Sequence, residues 1–372
     1  MRTLPLFCLL IASTSLFAQV FSNKEVGKKN EALADSLKAS EYPYALPIWG
    51  DKATKKGFNL PYSAGLSAQY FWQESLIIID NLNVGFNDGE MHNLDGIVRF
   101  DEAKATAAAF TVRPDVWLFP FLNVYGILGR SQASTAVNFG VWVPDSTGVE
   151  KKVLSTGTVV EFKTSTFGLG ITPTIGVAGG FLALDMNVAW TDVPQLKKPA
   201  RSFIFGPRLG KNFKLKEERA VAIWAGGFRV AIASGTDGSI SLSEVFADGG
   251  GEINTKIDQG ILKVDNAQQQ VDTWWAGLTP IEQNSPINKA KHDRANSALG
   301  RAGEILDAAD VAVNTISTST VQYSMTKTVK DAWNFIVGGQ YQFSKSFMVR
   351  AEVGFLASRT QIITGVQYRF GL

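Results

Sequence analysis

His92 and His292 are the only imidazoles among 372 residues, so acid–base chemistry near neutral pH would have to run through one of them. Each has a carboxylate close in sequence, Asp95 for the first and Asp293 for the second. Neither has a nucleophile fixed beside it by spacing, and a catalytic site needs nucleophile, base and orienting group in one geometry. The expectation is that the chain is not an enzyme, a hydrolase using His92 or His292 being the lesser alternative. Two histidines also exclude a histidine-rich metal centre. Asp80, Asp88, Glu90 and Asp95 lack the regular ligand spacing of a calcium loop and read as a solvated acidic stretch. Ala178-Gly179-Gly180 is followed by no helix carrying Lys or Ser/Thr, so it reads as a turn, not a phosphate cradle. No metal and no cofactor is expected.

More informative charges lie inside alternating stretches. In FLALDMNVAW (181–190), Leu182, Leu184, Met186, Val188 and Trp190 share one parity, while Asp185 and Asn187 share the other. Successive strand residues point to opposite faces. YSAGLSAQYFW (62–72) alternates in the same way. So do NFIVGGQYQF (334–343), with Gln340 on its polar parity, and FMVRAEVGF (347–355), with Arg350 and Glu352. The terminal QIITGVQYRFGL places Gln367 and Arg369 opposite Val366, Tyr368 and Phe370. Arg113, Arg208 and Arg229 are assigned to the same polar face of weaker alternating segments. In a soluble sandwich that face would carry Lys, Glu and Thr toward bulk water. Here it is Gly, Ala, Ser, Asn and Gln with single charges, which suits a confined interior. A charge facing lipid at mid-depth costs about 2–4 kcal/mol for Arg or Lys, so an apolar outer face forces these charges inward.

Composition agrees with a β-rich chain: 45% hydrophobic, 11% aromatic and 35 glycines. With 36 basic against 34 acidic residues, there is no electrostatic footprint for nucleic acid. Residues 1–18 read as an export signal, with Arg2, an apolar run from Leu4 to Ala12, and Ala18 before Gln19. The single cysteine, Cys8, falls within it, so the exported chain would carry no thiol. No later stretch reads as a spanning helix. The apolar runs 116–129 and 221–233 are shorter than the ~20 residues needed and are broken by Pro120 and Asn123 or by Arg229.

Connections predict the layout. Short ones are expected at Arg113-Pro114-Asp115, 178–180, 213–218 and 344–346, and long ones at 73–103, 144–158, 192–200 and 235–318. Short turns at one end and long loops at the other are the arrangement of a transmembrane barrel. The fold class expected is all-β, an antiparallel transmembrane β-barrel of roughly ten strands (eight to twelve) over 60–372, preceded by a polar, partly helical periplasmic lead-in over 19–59. Within 235–318, apolar residues recur at helical spacing from Ile253 to Leu278 and from Ala295 to Val313, with Pro280 and Pro286 between them. This reads as a helical hairpin over 252–314. Because barrel diameter grows with strand number, a ten-stranded lumen is not expected to admit two helices, so the hairpin should project from the outer mouth or lie across it. Trp274 and Trp275 near its tip are candidate partner anchors, or else pack between the helices.

The alternation and the final strand, ending Tyr368-Arg369-Phe370, resemble the outer-membrane β-barrel proteins of Gram-negative bacteria, over about residues 60–372 and without pointing to one subfamily. Tyr368 and Phe370 resemble that class's C-terminal aromatic assembly signal, although here Gly371-Leu372 follow it. The resemblance implies an outer-membrane location, a lipid bilayer surround and recognition by the outer-membrane assembly machinery. The function expected is porin-like or transport-type passage of small solutes; the inward charges either pair with one another and fill a narrow lumen, which is the favoured reading of them, or line a path for small anionic or polar solutes. The alternative is a non-conducting barrel that displays the hairpin for adhesion or to an extracellular partner.

Overall fold

The computed structural model describes residues 31–216, 218–232, 235–246, 250–356 and 358–372. The export signal with Cys8, and the start of the lead-in, lie outside them. Two short helices, α1 (Glu31–Ala39) and α2 (Gly50–Thr54), precede the sheet. The strands that follow are β1 (Ala64–Phe86), β2 (His92–Asn93), β3 (Val98–Phe119), β4 (Leu122–Pro144), β5 (Glu150–Val177), β6 (Gly180–Asp192), β7 (Ala200–Lys214), β8 (Ala220–Ile232) and β9 (Gly235–Ser241). A helical insertion comes next, α3 (Leu242–Val245), α4 (Gly251–Ala276), α5 (Pro280–Gln283) and α6 (Pro286–Asn314). The chain ends in β10 (Thr320–Val329), β11 (Trp333–Gln342), β12 (Phe347–Leu356) and β13 (Arg359–Phe370).

Ten of these strands close on themselves in the order β1-β3-β4-β5-β6-β7-β8-β11-β12-β13, every neighbour antiparallel. Closure is made by β1, which pairs with β3 on one edge and with β13 on the other, from Ala64↔Phe370 to Ser75↔Arg359. A closed barrel leaves no unpaired edge, the condition for strands to cross hydrocarbon. The outward parity is apolar over a continuous band that includes Leu66, Leu128, Leu169, Leu209, Ile223 and Val366. Aromatic rings mark its two margins. Tyr341, Phe343 and Phe347 cluster at the short-turn end. Phe167 with Trp190, Phe205 with Trp333, and Phe335 with Phe355 lie toward the other. From Phe347 to Phe355 along β12 is about 26 Å at strand rise, matching the ~25 Å apolar band of a spanning barrel.

Several expected boundaries move. No turn occurs at Arg113-Pro114-Asp115. Here β3 runs on to Phe119 and the chain reverses at Pro120-Phe121. Pairing with β4 lapses at 113–114 and resumes at Asp115↔Tyr125, because Pro114 has no N–H to give to a ladder. The loops expected at 73–103 and 144–158 are largely strand, β1 reaching Phe86 and β5 beginning at Glu150. The turn at Ala178-Gly179 is as expected. Both residues have positive φ, 48° and 76°, the left-handed pair that joins twisted antiparallel strands and that glycine adopts without strain.

Beyond Leu76 the wall continues as a second storey. There β1 exchanges β13 for β10, from Ile77↔Val329 to Phe86↔Val321, and β10 pairs with β9. Bulges between Asp80 and Asn83 in β1 and between Phe100 and Glu102 in β3 shift the strand parity. They bring Leu82, Val84, Phe86, Val98 and Phe100 inward. Outward positions at this level are mostly polar, Ile78 and Val159 apart, with ion pairs Lys152–Asp101 (2.9 Å) and Lys104–Glu74 (3.3 Å) and a further pair between Arg99 and Glu150. The spanning barrel is apolar outside and polar inside; the second storey is the reverse, as expected where the surroundings change from lipid to water.

Candidate functional site

The lumen holds two cavities that share no lining residue. The lower, about 850 Å³, opens toward the short-turn end and is lined by Ser67, Gln69, Arg113, Asp115, Asp185, Arg208, Gln340, Arg350, Gln367 and Arg369 among others. The upper, about 890 Å³, lies in the second storey. Between them stands a band of fully buried side chains, including Ile336, Glu352, Arg359 and Gln361.

A charged belt tops the lower cavity. Arg208 of β7 reaches across to Glu352 of β12 through two parallel bonds, Nε to Oε2 at 2.7 Å and Nη2 to Oε1 at 2.9 Å. Such bidentate pairing fixes orientation as well as charge. Its Nη1 lies 3.3 Å from Asp185 Oδ2. Asp185 also accepts from Tyr125 Oη (2.6 Å) and Thr172 Oγ1 (3.0 Å), and Asn187 Nδ2 donates to Tyr125 Oη at 3.2 Å. Trp224 Nε1 donates to Glu352 Oε2 at 2.7 Å. The Arg113 guanidinium stacks 3.8 Å over the Tyr125 ring, and that of Arg350 lies 5.2 Å over Trp224 and 3.8 Å from Glu352. Three guanidinium groups thus face two carboxylates, which leaves one positive charge in excess, and the Nε of Arg350 has no hydrogen-bond partner. Glycines make room for the rings. A Cβ at Gly170 would collide with Tyr125, and one at Gly338 would lie 2.6 Å from Trp224.

A second cluster sits nearer the short-turn end. Asp115 pairs with Arg369 and accepts from Asn123 (2.7 Å) and Gln367 (2.6 Å), and Arg369 donates to the Tyr62 carbonyl at 2.7 Å. Beneath it the lead-in folds against the barrel, Leu46 N–H bonding to the Leu372 carbonyl (3.2 Å) and Ile48 N–H to that of Leu118 (2.9 Å). Asn59, Leu60 and Pro61 of the lead-in line the lower cavity.

Of the ten residues expected to line the lumen, nine have the inward parity. Arg229 does not: it is exposed, while Trp224, Phe228 and Val230 of the same strand are buried. It pairs with Phe205 and Trp333 in the outer aromatic girdle. There a long cationic side chain can reach past the rings to water, so no burial cost forces it inward. The β8 segment is apolar on both parities, so alternation could not reveal the error.

The hairpin corrects a second expectation. It neither projects freely nor lies only across the mouth: the root of α4 and α6 is seated inside the second storey. Ile253, Ile257, Leu299, Leu306 and Val313 form one core with Val141, Val143, Val153 and Leu154, and Ile305 and Ala298 pack on Leu82, Leu94 and Ile97. The volume argument holds for the spanning barrel, whose interior side chains fill it. Above that level β9, β10 and the upper halves of β1, β3, β4 and β5 extend the wall with apolar inner faces, and the helices have somewhere to pack. The outer part of the hairpin stands clear. Trp275 stacks on His292 (4.1 Å between centroids), Lys291 lies 4.8 Å over Trp274, and both tryptophans are half-buried between the helices. His92 faces Glu304 of α6 at 3.6 Å, twelve residues along the helix from His292. Tyr368 and Phe370 are exposed on the outer surface at the short-turn end. Among the described residues no helix is long and apolar enough to cross a membrane, a statement that does not concern strands.

Sequence reasoning missed the upper chamber altogether. Its walls include Ile77, Ile79, Val84, Phe86, Val137, Phe139, Val160 and Phe162. The signal lay in stretches such as SLIIID (75–80) and FWQESLII, where apolar residues occupy both parities at the far end of an otherwise alternating strand.

No protein-family model and no curated protein matches the chain. Solved structures similar to it include the translocator domain of the autotransporter NalP from Neisseria meningitidis, at 9% identity and TM-score 0.30, covering 86% of this chain and 92% of that one. The COG4313 outer membrane channel from Pseudomonas putida F1 is similar at 9% identity and TM-score 0.28, covering 84% and 97%. A Pseudomonas aeruginosa FadL homologue is similar at 7% and 0.25, covering 84% and 93%. At these scores no shared cargo or mechanism follows from the likeness.

Proposed function

We propose that this chain, an outer-membrane β-barrel, is a gated passage for small solutes. The observation that carries the reading is the divided lumen: two cavities in line along the barrel axis, closed from each other by a buried ionic belt and closed above by the hairpin root. A barrel built only to present a loop needs neither cavity. The long loops and the hairpin face outward from the cell, and the lead-in lies under the periplasmic mouth. Solute would enter the upper chamber past the hairpin root and meet the belt, whose excess positive charge favours anionic over cationic groups. The proposal uses no catalytic step.

The test is single-channel conductance of the refolded protein in a planar bilayer, beside a variant lacking 252–314. Conductance that is low in the full chain and rises in the deletion supports the gate. Silence from both, with folded barrels, overturns it. One observation favours display as a second reading: Ile281 and Ile287 at the hairpin tip are 86% and 78% exposed. If display is the role, the intact barrel stays silent and Ile281→Asp abolishes attachment of cells to a surface that wild-type cells bind.

A further inference from the structure

We propose that the upper chamber binds an amphipathic molecule with a long apolar body and a single anionic headgroup, the headgroup held by Lys327. The inference deepens the passage reading by naming the class of solute, and rests on it only for the molecule's role as cargo. The chamber's size, about 890 Å³, is within the ~300–1,000 Å³ of small-molecule sites. Its wall is mainly apolar: Ile79 and Phe139 from the strands, Phe162 lower down, Met325 from β10 and Ile257 from the hairpin, with Thr135, Thr156, Thr158 and Gln195 as scattered polar positions. Water is a poor occupant for such a space, because a stably held water needs two to four polar partners. An apolar guest satisfies it.

Charged residues are few in that lining: Lys327 on β10, and Lys197, Lys198, Arg201 and Asp237 on and beside the β6–β7 connection and β9. Lys327 follows Val321, Tyr323 and Met325 on the inward parity of β10 and lines the chamber floor. Among the described residues no carboxylate lies within ion-pair distance of its Nζ, and it has no hydrogen-bond partner. The other lysines of the upper walls behave differently: Lys104 and Lys152 point outward and are paired with Glu74 and Asp101. An unpaired ammonium in a mainly apolar enclosure is costly unless an anion joins it; Asp237 lines the same chamber without pairing with it, and a ligand headgroup would supply the anion. The exposed Lys197 and Lys198 lie at the rim of the same chamber, where they would raise the local concentration of anionic amphiphiles.

The experiment is photo-crosslinking in proteoliposomes with three diazirine probes of equal chain length: a carboxylate, the corresponding alcohol and a phospholipid. Labelled peptides are mapped by mass spectrometry. The expected result is carboxylate labelling at Phe139, Phe162 and Met325, about tenfold above the alcohol, the factor that one charge-assisted contact supplies. In Lys327→Gln that preference disappears while alcohol labelling is unchanged. Labelling confined to outward side chains such as Val366 overturns the site. Equal labelling of the chamber by the phospholipid overturns selection for a free, single-headed amphiphile. Labelling of the chamber without flux of the carboxylate across the vesicle supports the site and removes the passage reading alone; flux without chamber labelling does the converse.

Discussion

At the scale of single residues, Glu352 is the side chain on which the belt depends. It is wholly buried, takes two bonds from Arg208 and one from Trp224, and is the nearest anion to Arg350. Removing one partner of a buried pair leaves the other charge without compensation, at a cost of about 3–5 kcal/mol. Glu352→Ala is therefore expected to lower the urea midpoint of the refolded barrel by several times the shift caused by Gln340→Ala, which removes no charge. An unchanged midpoint would mean that water replaces the carboxylate. Polarity alone could not foretell this arrangement: the sequence shows that Arg208, Asp185 and Glu352 face inward, not that one guanidinium serves both carboxylates across the lumen.

At the scale of elements, the β4–β5 turn shows how one side chain sets the end of a hairpin. Asp145 Oδ1 accepts from the N–H groups of Thr147 (2.8 Å) and Val149 (3.0 Å) and from Thr147 Oγ1 (2.6 Å), and Lys151 lies 3.2 Å from its other oxygen. The Thr147 hydroxyl bond heads the causes that hold its carboxyl well below the usual carboxylate range, with Lys151 and the two amides adding to it and burial opposing. A depressed folded pKa stabilises the turn above the unfolded value of about 4; the contribution fades as pH falls below that and is lost through the folded value. Amide exchange at Thr147 and Val149 should be slow at pH 5 and accelerate at the acid extreme beyond the intrinsic pH trend. Asp145→Asn should be fast at both, and equal protection in the two proteins would refute the role. This turn supports Glu150, which binds Arg294 of α6 at 3.3 Å, so the same Asx turn also helps to seat the hairpin.

At the scale of the whole molecule, the arrangement is two compartments of opposite polarity stacked on one set of strands. The lower is stabilised by lipid outside and by paired charges within; the upper by an apolar interior shared with helices. Val366, on the lipid face midway between Phe370 and Ile362, probes the first directly. Val366→Arg is expected to cost about 2–4 kcal/mol in bilayer-refolded protein, whereas Thr326→Arg, on the water-facing side of the second storey, should cost little. Comparable losses at both sites would mean that the membrane level has been misplaced.

The alternation of residues, read by itself, determined that the chain is a barrel of about ten strands with an apolar coat, inward charges and a helical insertion. A period of two is a local property and a lipid surround enforces it at every outward position. It could not place Arg229, because a girdle position tolerates either an aromatic ring or a long cation. Nor could it find the turn after Phe119, because Pro114 mimics a chain reversal. Apolar residues on both parities at 75–80 mark a change of surroundings, but the second storey, the upper chamber and the seat of the hairpin were decided by tertiary structure. They depend on β10 pairing with β1 across more than 200 residues of sequence, and on bulges that exchange inner and outer faces partway along a strand. No local pattern encodes either, since the reason for them is the meeting of surfaces that only closure of the barrel brings together.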